Sequence, residues 1–137
     1  MSNIISDVKK LNLPIGEYLV VGGSALAARN IRQYDDIDLI VTNKLYEKLK
    51  KDGWEEKEKV INHFHLYKYN AEVAKNFSHI EGCKLITENV IKNADIIEGV
   101  PFMSLDDLIE LKQAMGRDKD IKDIELIHEY QKRNFQV

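Results

Sequence analysis

The chain has 137 residues, 44% hydrophobic and 31% charged, with a net charge of −3 at pH 7. That length suits one domain spanning 1–137 with a sizeable core, and the acidic balance argues against strong nonspecific nucleic-acid binding. The lone Cys83 excludes an internal disulfide framework; no apolar run approaches the ~20 residues of a membrane span and no signal segment stands out, so a cytoplasmic protein is expected.

In chain order, Ile4, Ile5, Val8 and Leu11 recur at helical spacing, and Pro14 and Gly16 end that helix. Tyr18 to Val21 is a short apolar run, read as a buried strand. Gly22-Gly23-Ser24 then turns the chain, with Ser24 placed to cap a helix through Ala25 to Arg29. Asp36 to Val41 reads as a second strand. Thr42 or Asn43 caps a helix through Leu45, Leu49 and Lys51, which Gly53 stops.

Trp54 to Val60 and His63 to Tyr69 alternate as strands do, and Ala71 to Phe77 continues the sheet. Thr87 to Asn93 is a short helix, and Asp95 to Val100 is read as one strand around Ile96-Ile97. Ser104 opens a helix whose buried stripe is Leu105, Leu108, Ile109, Leu111 and Met115; Gly116 breaks it. Ile121, Ile124, Leu126, Ile127 and Tyr130 mark a last helix. The order predicts an α/β (α+β) fold, a mixed β-sheet with helices packed on it.

The chemistry concentrates between Tyr18 and Val41, YLVVGGSALAARNIRQYDDIDLIV. Residues two apart on a strand point the same way, so Asp36 and Asp38 project side by side while Ile37 enters the core. Paired carboxylates repel unless a cation or a shared proton lies between them. Magnesium is the natural partner, being hard and held by one or two carboxylates plus substrate phosphates. Glycines let backbone N–H groups approach a phosphate closely, so Gly22, Gly23 and Ser24 complete the outline of a nucleoside triphosphate site. Asp35 faces away as a solvated turn residue.

The stretch GGSALAARNIRQYDDIDLIV resembles the signature of the polymerase-beta-like nucleotidyltransferase superfamily, in particular its small bacterial minimal and abortive-infection-type members. PFMSLDDLIELKQAMGRDKDIKDIELI, from Pro101 to Ile127, is similar to their closing segment of helix, Gly-Arg-x-Lys-Asp turn and helix. The two cover about a third of the chain, in the expected order.

The resemblance implies transfer of a nucleoside monophosphate from a triphosphate to a hydroxyl, with two metal ions about 4 Å apart clamping the attacking and leaving oxygens. Asp36 and Asp38 match the first two metal ligands, and Gly22, Gly23 and Ser24 the triphosphate grip. The third carboxylate, which doubles as base, falls in YNAEVAKNF: Glu72 is the only acid there, though Ala74 can also align with that position. Arg32 meets phosphate or pairs with Asp35, and Tyr34 stands where the family often has Ser or Thr.

Lys112 and Lys119 reach triphosphate or are solvated, while Arg117, Asp120 and Asp123 lock the closing helices. The resemblance also implies a toxin–antitoxin or abortive-infection setting, with a small molecule, protein or tRNA as acceptor. A homodimer or a partner chain is the expected builder of the acceptor side. The alternative to an enzyme is a non-catalytic nucleotide- or partner-binding module with an incomplete metal site.

Outside the resemblance, His63 and His65 share a strand face, which is read as surface or substrate-facing rather than metal-binding; His79 and His128 carry no signal. The lysines from Lys44 to Lys59 alternate with glutamates as a solvated face.

Overall fold

The computed structural model describes residues 3–135. Its elements are α1 (Ile4–Lys9), β1 (Tyr18–Val21), α2 (Gly22–Ala27), β2 (Ile37–Val41), α3 (Asn43–Lys51), β3 (Glu55–Val60), β4 (His63–Lys68), β5 (Ala71–Ala74), α4 (Thr87–Lys92), β6 (Asp95–Ile97), β7 (Val100–Phe102), α5 (Leu105–Met115) and α6 (Asp118–Phe135). The strands form one seven-stranded sheet in the order β3-β4-β5-β2-β1-β7-β6. Pairs β1–β7 and β2–β5 are parallel and the others antiparallel, which makes the mixed sheet expected from the sequence.

Burial follows position in the sheet. All four residues of the central β1 are buried, as are Ile37, Leu39, Ile40 and Val41 of β2, whereas every residue of the edge strand β3 is exposed. A run of glutamates and lysines suits that edge, because charge discourages pairing with another chain. Each large apolar side chain buried in the centre stabilises the fold by about 1.5–3 kcal/mol relative to exposure.

Caps fix the helix starts. The Thr42 hydroxyl accepts from the Leu45 N–H at 3.2 Å, and that of Ser104 accepts from the Asp107 N–H at 3.1 Å. Gly116 ends α5 at φ 62°, a left-handed C-cap that glycine adopts without a Cβ penalty.

Four local expectations need correction. Residues Asp95 to Val100 are not one strand: Glu98 and Gly99, both at positive φ, turn the chain so that β6 and β7 form a hairpin. The helix after β1 starts at Gly22 and ends at Ala27, so Ser24 lies inside it rather than capping it. The strand β2 begins at Ile37, and Asp36 sits on the bend before it. On α6 the buried positions are Asp120, Asp123 and Ile127, while Ile121 and Leu126 are exposed. The side of α6 turned inward therefore carries carboxylates, and these need cations to satisfy them.

Candidate active site

Register brings the site together. Residues opposite one another on neighbouring strands share a face, and Val21 pairs with Asp38, Asp38 with Glu72, and Glu72 with Tyr67. One row thus crosses β1, β2, β5 and β4 with Asp38 and Glu72 at its centre. Ala74, the alternative third position, pairs with Ile40 one step further along.

The Gly22 turn closes on this row. Gly22 has φ 63°, and a Cβ there would stand 3.1 Å from Asp38 Oδ2. Both the left-handed backbone and the near approach of the carboxylate call for glycine. At Gly23 a Cβ would meet the Arg32 guanidinium, with Cζ only 2.9 Å away, so the Arg32 side chain lies against bare backbone. Ser24 is buried; its hydroxyl donates to the Val21 carbonyl at 2.8 Å and accepts from the Asp38 N–H at 3.1 Å. It ties α2 to the strand that presents Asp38.

The carboxylates are electrostatically unequal. Burial first, then the charges of Glu72 and Asp36, push the Asp38 carboxyl up to about 6. The hydrogen bond from His65 and the Lys59 ammonium hold Glu72 down at about 2, against a burial cost of opposite sign. Glu72 Oε2 lies 2.6 Å from His65 Nδ1, 3.2 Å from Lys59 Nζ and 3.2 Å from the Tyr67 hydroxyl. Asp35 and Asp36 are both exposed and both line the cavity beside Gly22, so Asp35 does not stand apart from the site; its carbonyl accepts from the Asn70 side-chain amide at 3.0 Å.

A cavity of about 490 Å³ lies between α2 and the closing helices, lined by Gly22 to Ser24, Asp36, Asp38, Arg32, Lys112, Arg117 and Lys119 among others. The pairings of its cations correct several expectations. Arg32 pairs with Asp123 at 3.0 Å, not with Asp35. Lys112 is neither solvated nor free; it is 4% exposed, with Nζ 2.8 Å from Asp123 and 3.4 Å from Asp120. Arg117 grips Asp120 at 2.7 Å through Nε and donates its backbone N–H to the same carboxylate at 3.1 Å. Three cations therefore share two carboxylates, and the wall retains positive charge opposite the aspartates. Tyr34 also lines this cavity, with its hydroxyl donating to the Asp7 carboxylate of α1.

Several residues at this site were not anticipated. Lys59, read as solvated, reaches Glu72 because β3 lies beside β4. His63 and His65 are buried rather than on the surface, and His79 stacks on His63 with ring centroids 4.1 Å apart. Burial and the neighbouring imidazole hold His63 below its ordinary value, and burial with the other two rings holds His79 at about 4. The alternation of His63 and His65 was visible in the sequence; nothing local announced His79. A second cavity, of about 330 Å³, joins His65 and His79 to Glu72, Asp38 and Asp36.

No protein-family model and no curated protein matches the sequence. Among solved structures the chain is similar to ANT(2")-Ia in complex with adenylyl-2"-tobramycin, with a TM-score of 0.50 and 19% identity over 90% of this chain and 83% of that one. The likeness is one of fold: a nucleotidyltransferase-like arrangement of mixed sheet and flanking helices. Among the described residues, no helix is long and apolar enough to cross a membrane.

Proposed function

We propose that this chain is a minimal nucleotidyltransferase, moving a nucleoside monophosphate from a triphosphate to a hydroxyl of an acceptor. The observation that carries the reading is that Asp36 and Asp38 line two cavities at once, one walled by the Gly22–Ser24 turn with Arg32 and Lys112, the other by Glu72, which stands opposite Asp38 in the sheet. The bound adenylyl-2"-tobramycin of ANT(2")-Ia, a chain of similar fold, is an adenylyl group on an acceptor. The two sequence segments add support for the small abortive-infection type, including its setting in toxin–antitoxin systems.

The carboxylates fit magnesium. Asp38 is raised by burial and then by the charges of Glu72 and Asp36, so a cation among these carboxylates would be favoured, and oxygen donors suit a hard ion. When bound there, magnesium would neutralise charge on the phosphate oxygens and orient the α-phosphorus for in-line attack. Asp36 and Asp38 would hold it, and Glu72 would join through Oε1, since its contacts among the described residues fall on Oε2.

The remaining roles belong to the chain itself. Backbone N–H groups of Gly22, Gly23 and Ser24 reach phosphate oxygens because no Cβ stands over the first two. Arg32 and Lys112, held in place by Asp123, supply positive charge beside them, and Lys119 adds more from the rim. A carboxylate held near 2 accepts a proton poorly at neutral pH, so Glu72 suits the part of charged ligand better than that of general base.

A second reading, a nucleotide-binding module without turnover, draws on one observation: Lys59 already neutralises Glu72. Calorimetric titration of ATP, GTP, CTP and UTP with magnesium, on wild type and on Asp36→Asn/Asp38→Asn, tests the site. Metal-dependent binding of one nucleotide, lost in the variant, is the expected result; no binding of any of them would overturn both readings. Pyrophosphate release on adding candidate hydroxyl acceptors separates transferase from module.

A further inference from the structure

Three clustered histidines, only one of which touches the proposed magnesium ligands, have a chemistry of their own. His63 and His65 are 9% and 5% exposed on β4, and His79 joins them from the loop after β5. One ring nitrogen from each lies within 4.8 Å of the others. His63 Nε2 and His65 Nε2 are 2.8 Å apart, and the His65 ring stands edge-on to both of its neighbours. Gathering two buried imidazoles and a half-buried third, one pair stacked and the others edge-on, is costly unless something bridges their nitrogens.

Two details define what that bridge is. Glu72 accepts from His65 Nδ1 at 2.6 Å, which fixes the proton on Nδ1 and leaves Nε2 as a bare lone pair aimed at His63. A carboxylate behind an imidazole in this way is the recurrent support of a metal-ligating histidine. Second, His79 Nδ1 is buried and has no hydrogen-bond partner. An orphaned imidazole nitrogen in a polar cluster is an acceptor waiting for a cation.

We propose that His63, His65 and His79 form a transition-metal site of the zinc class, separate from the magnesium-type carboxylate site. Neutral imidazoles suit zinc, and three of them leave a fourth position for water or a ligand. At about 2.0–2.1 Å per Zn–N bond, tetrahedral nitrogens lie about 3.3 Å apart. The His63–His65 pair opens slightly to reach that spacing and His79 swings inward. The proton that His63 Nε2 donates to His65 Nε2 moves to His63 Nδ1, so no net proton is gained or lost. His65 and His79 line the same cavity as Asp38 and Glu72, so a metal held there would adjoin the carboxylate site.

Titration of the full chain with Zn2+ alone, in buffer without nucleotide or magnesium, tests this, with Co2+ as a spectroscopic stand-in. One equivalent is expected to bind wild type, with the intense visible bands of tetrahedral Co2+. Asp36→Asn/Asp38→Asn should bind equally well, His79→Ala at least tenfold more weakly, and Glu72→Gln about 10–100-fold more weakly through loss of the supporting carboxylate. No binding by wild type, or the weak bands of octahedral Co2+, would overturn the proposal without recourse to any variant. So would binding that Asp36→Asn/Asp38→Asn removes or that His79→Ala leaves untouched. Failure of nucleotide binding would not touch it, since the assay contains no nucleotide.

Discussion

Asp38 and Glu72 occupy opposite positions on the adjacent parallel strands β2 and β5, two carboxylates on one sheet face with very different proton affinities. Asp38 is raised to about 6 by burial and by its acidic neighbours, and Glu72 is lowered to about 2 by His65 and Lys59. The pair combines a carboxylate that is short of counter-charge with one that is well supplied.

That inequality makes Asp38 a destabilising charge at neutral pH. Its folded value lies above its unfolded one, so the folded state binds more protons between about pH 4 and 6 and this contribution falls as pH rises through that window. Asp38→Asn should accordingly stabilise the metal-free protein at pH 7.5 by about 1–2 kcal/mol, the shift of roughly two units discounted for solvent relaxation. Urea denaturation in chelator at pH 7.5 and at pH 4 checks it: the gain should shrink at the lower pH. A variant less stable than wild type at pH 7.5 would contradict the electrostatic account.

Glu72 carries the opposite sign. Its folded value lies below the unfolded one, so its stabilisation is present above about pH 4.5 and lost as pH falls toward 2. Glu72→Gln should cost about 1–2 kcal/mol at pH 7, discounted because the side chain is 23% exposed. The gap from wild type should close during acid titration followed by circular dichroism.

Lys112 is the cation whose loss the fold should feel most. It is 4% exposed between Asp120 and Asp123, which are themselves 0% and 5% exposed. Removing one partner of a buried pair commonly costs about 3–5 kcal/mol, because the other charge stays buried. Here Arg117 still holds Asp120 and Arg32 still holds Asp123, so Lys112→Met should cost about 2–3 kcal/mol, near the lower end. Lys112→Met/Asp123→Leu should recover part of that loss. A double variant as unstable as the sum of the singles would show the pair to be uncoupled.

Gly23 separates stability from binding. Its backbone is not left-handed, so Gly23→Ala strains no dihedral, but the new methyl must displace the Arg32 guanidinium. Stability should change by less than about 1 kcal/mol, while magnesium-dependent triphosphate affinity falls about tenfold as a charge-assisted contact is lost. Melting curves and calorimetry on the same preparation distinguish this from a general loosening of the turn.

Much of the frame was legible in the sequence because it depends on local chemistry. The strands on either side of the Gly-Gly-Ser turn, the Thr42 and Ser104 caps and the Gly116 stop follow from apolar runs, hydroxyls and a left-handed glycine. Asp36 and Asp38 do line one cavity, but Asp36 does so from the bend before β2, where strand alternation does not apply. The β6–β7 hairpin escaped notice because Val100-Pro101-Phe102 is too short to show a period.

What only the tertiary structure decided is how distant charges are paired. Strand register, not sequence, set Glu72 rather than Ala74 opposite Asp38. The packing of α5 against α6 turned Lys112 inward, and chain closure carried His79 onto His63 from a loop that shows no pattern of its own. A sequence fixes which groups each segment offers and on which face, because those follow from backbone period. The partner that neutralises or ligates a group lies across the fold, and Coulomb and coordination energies depend on that distance in space, which separation along the chain does not encode.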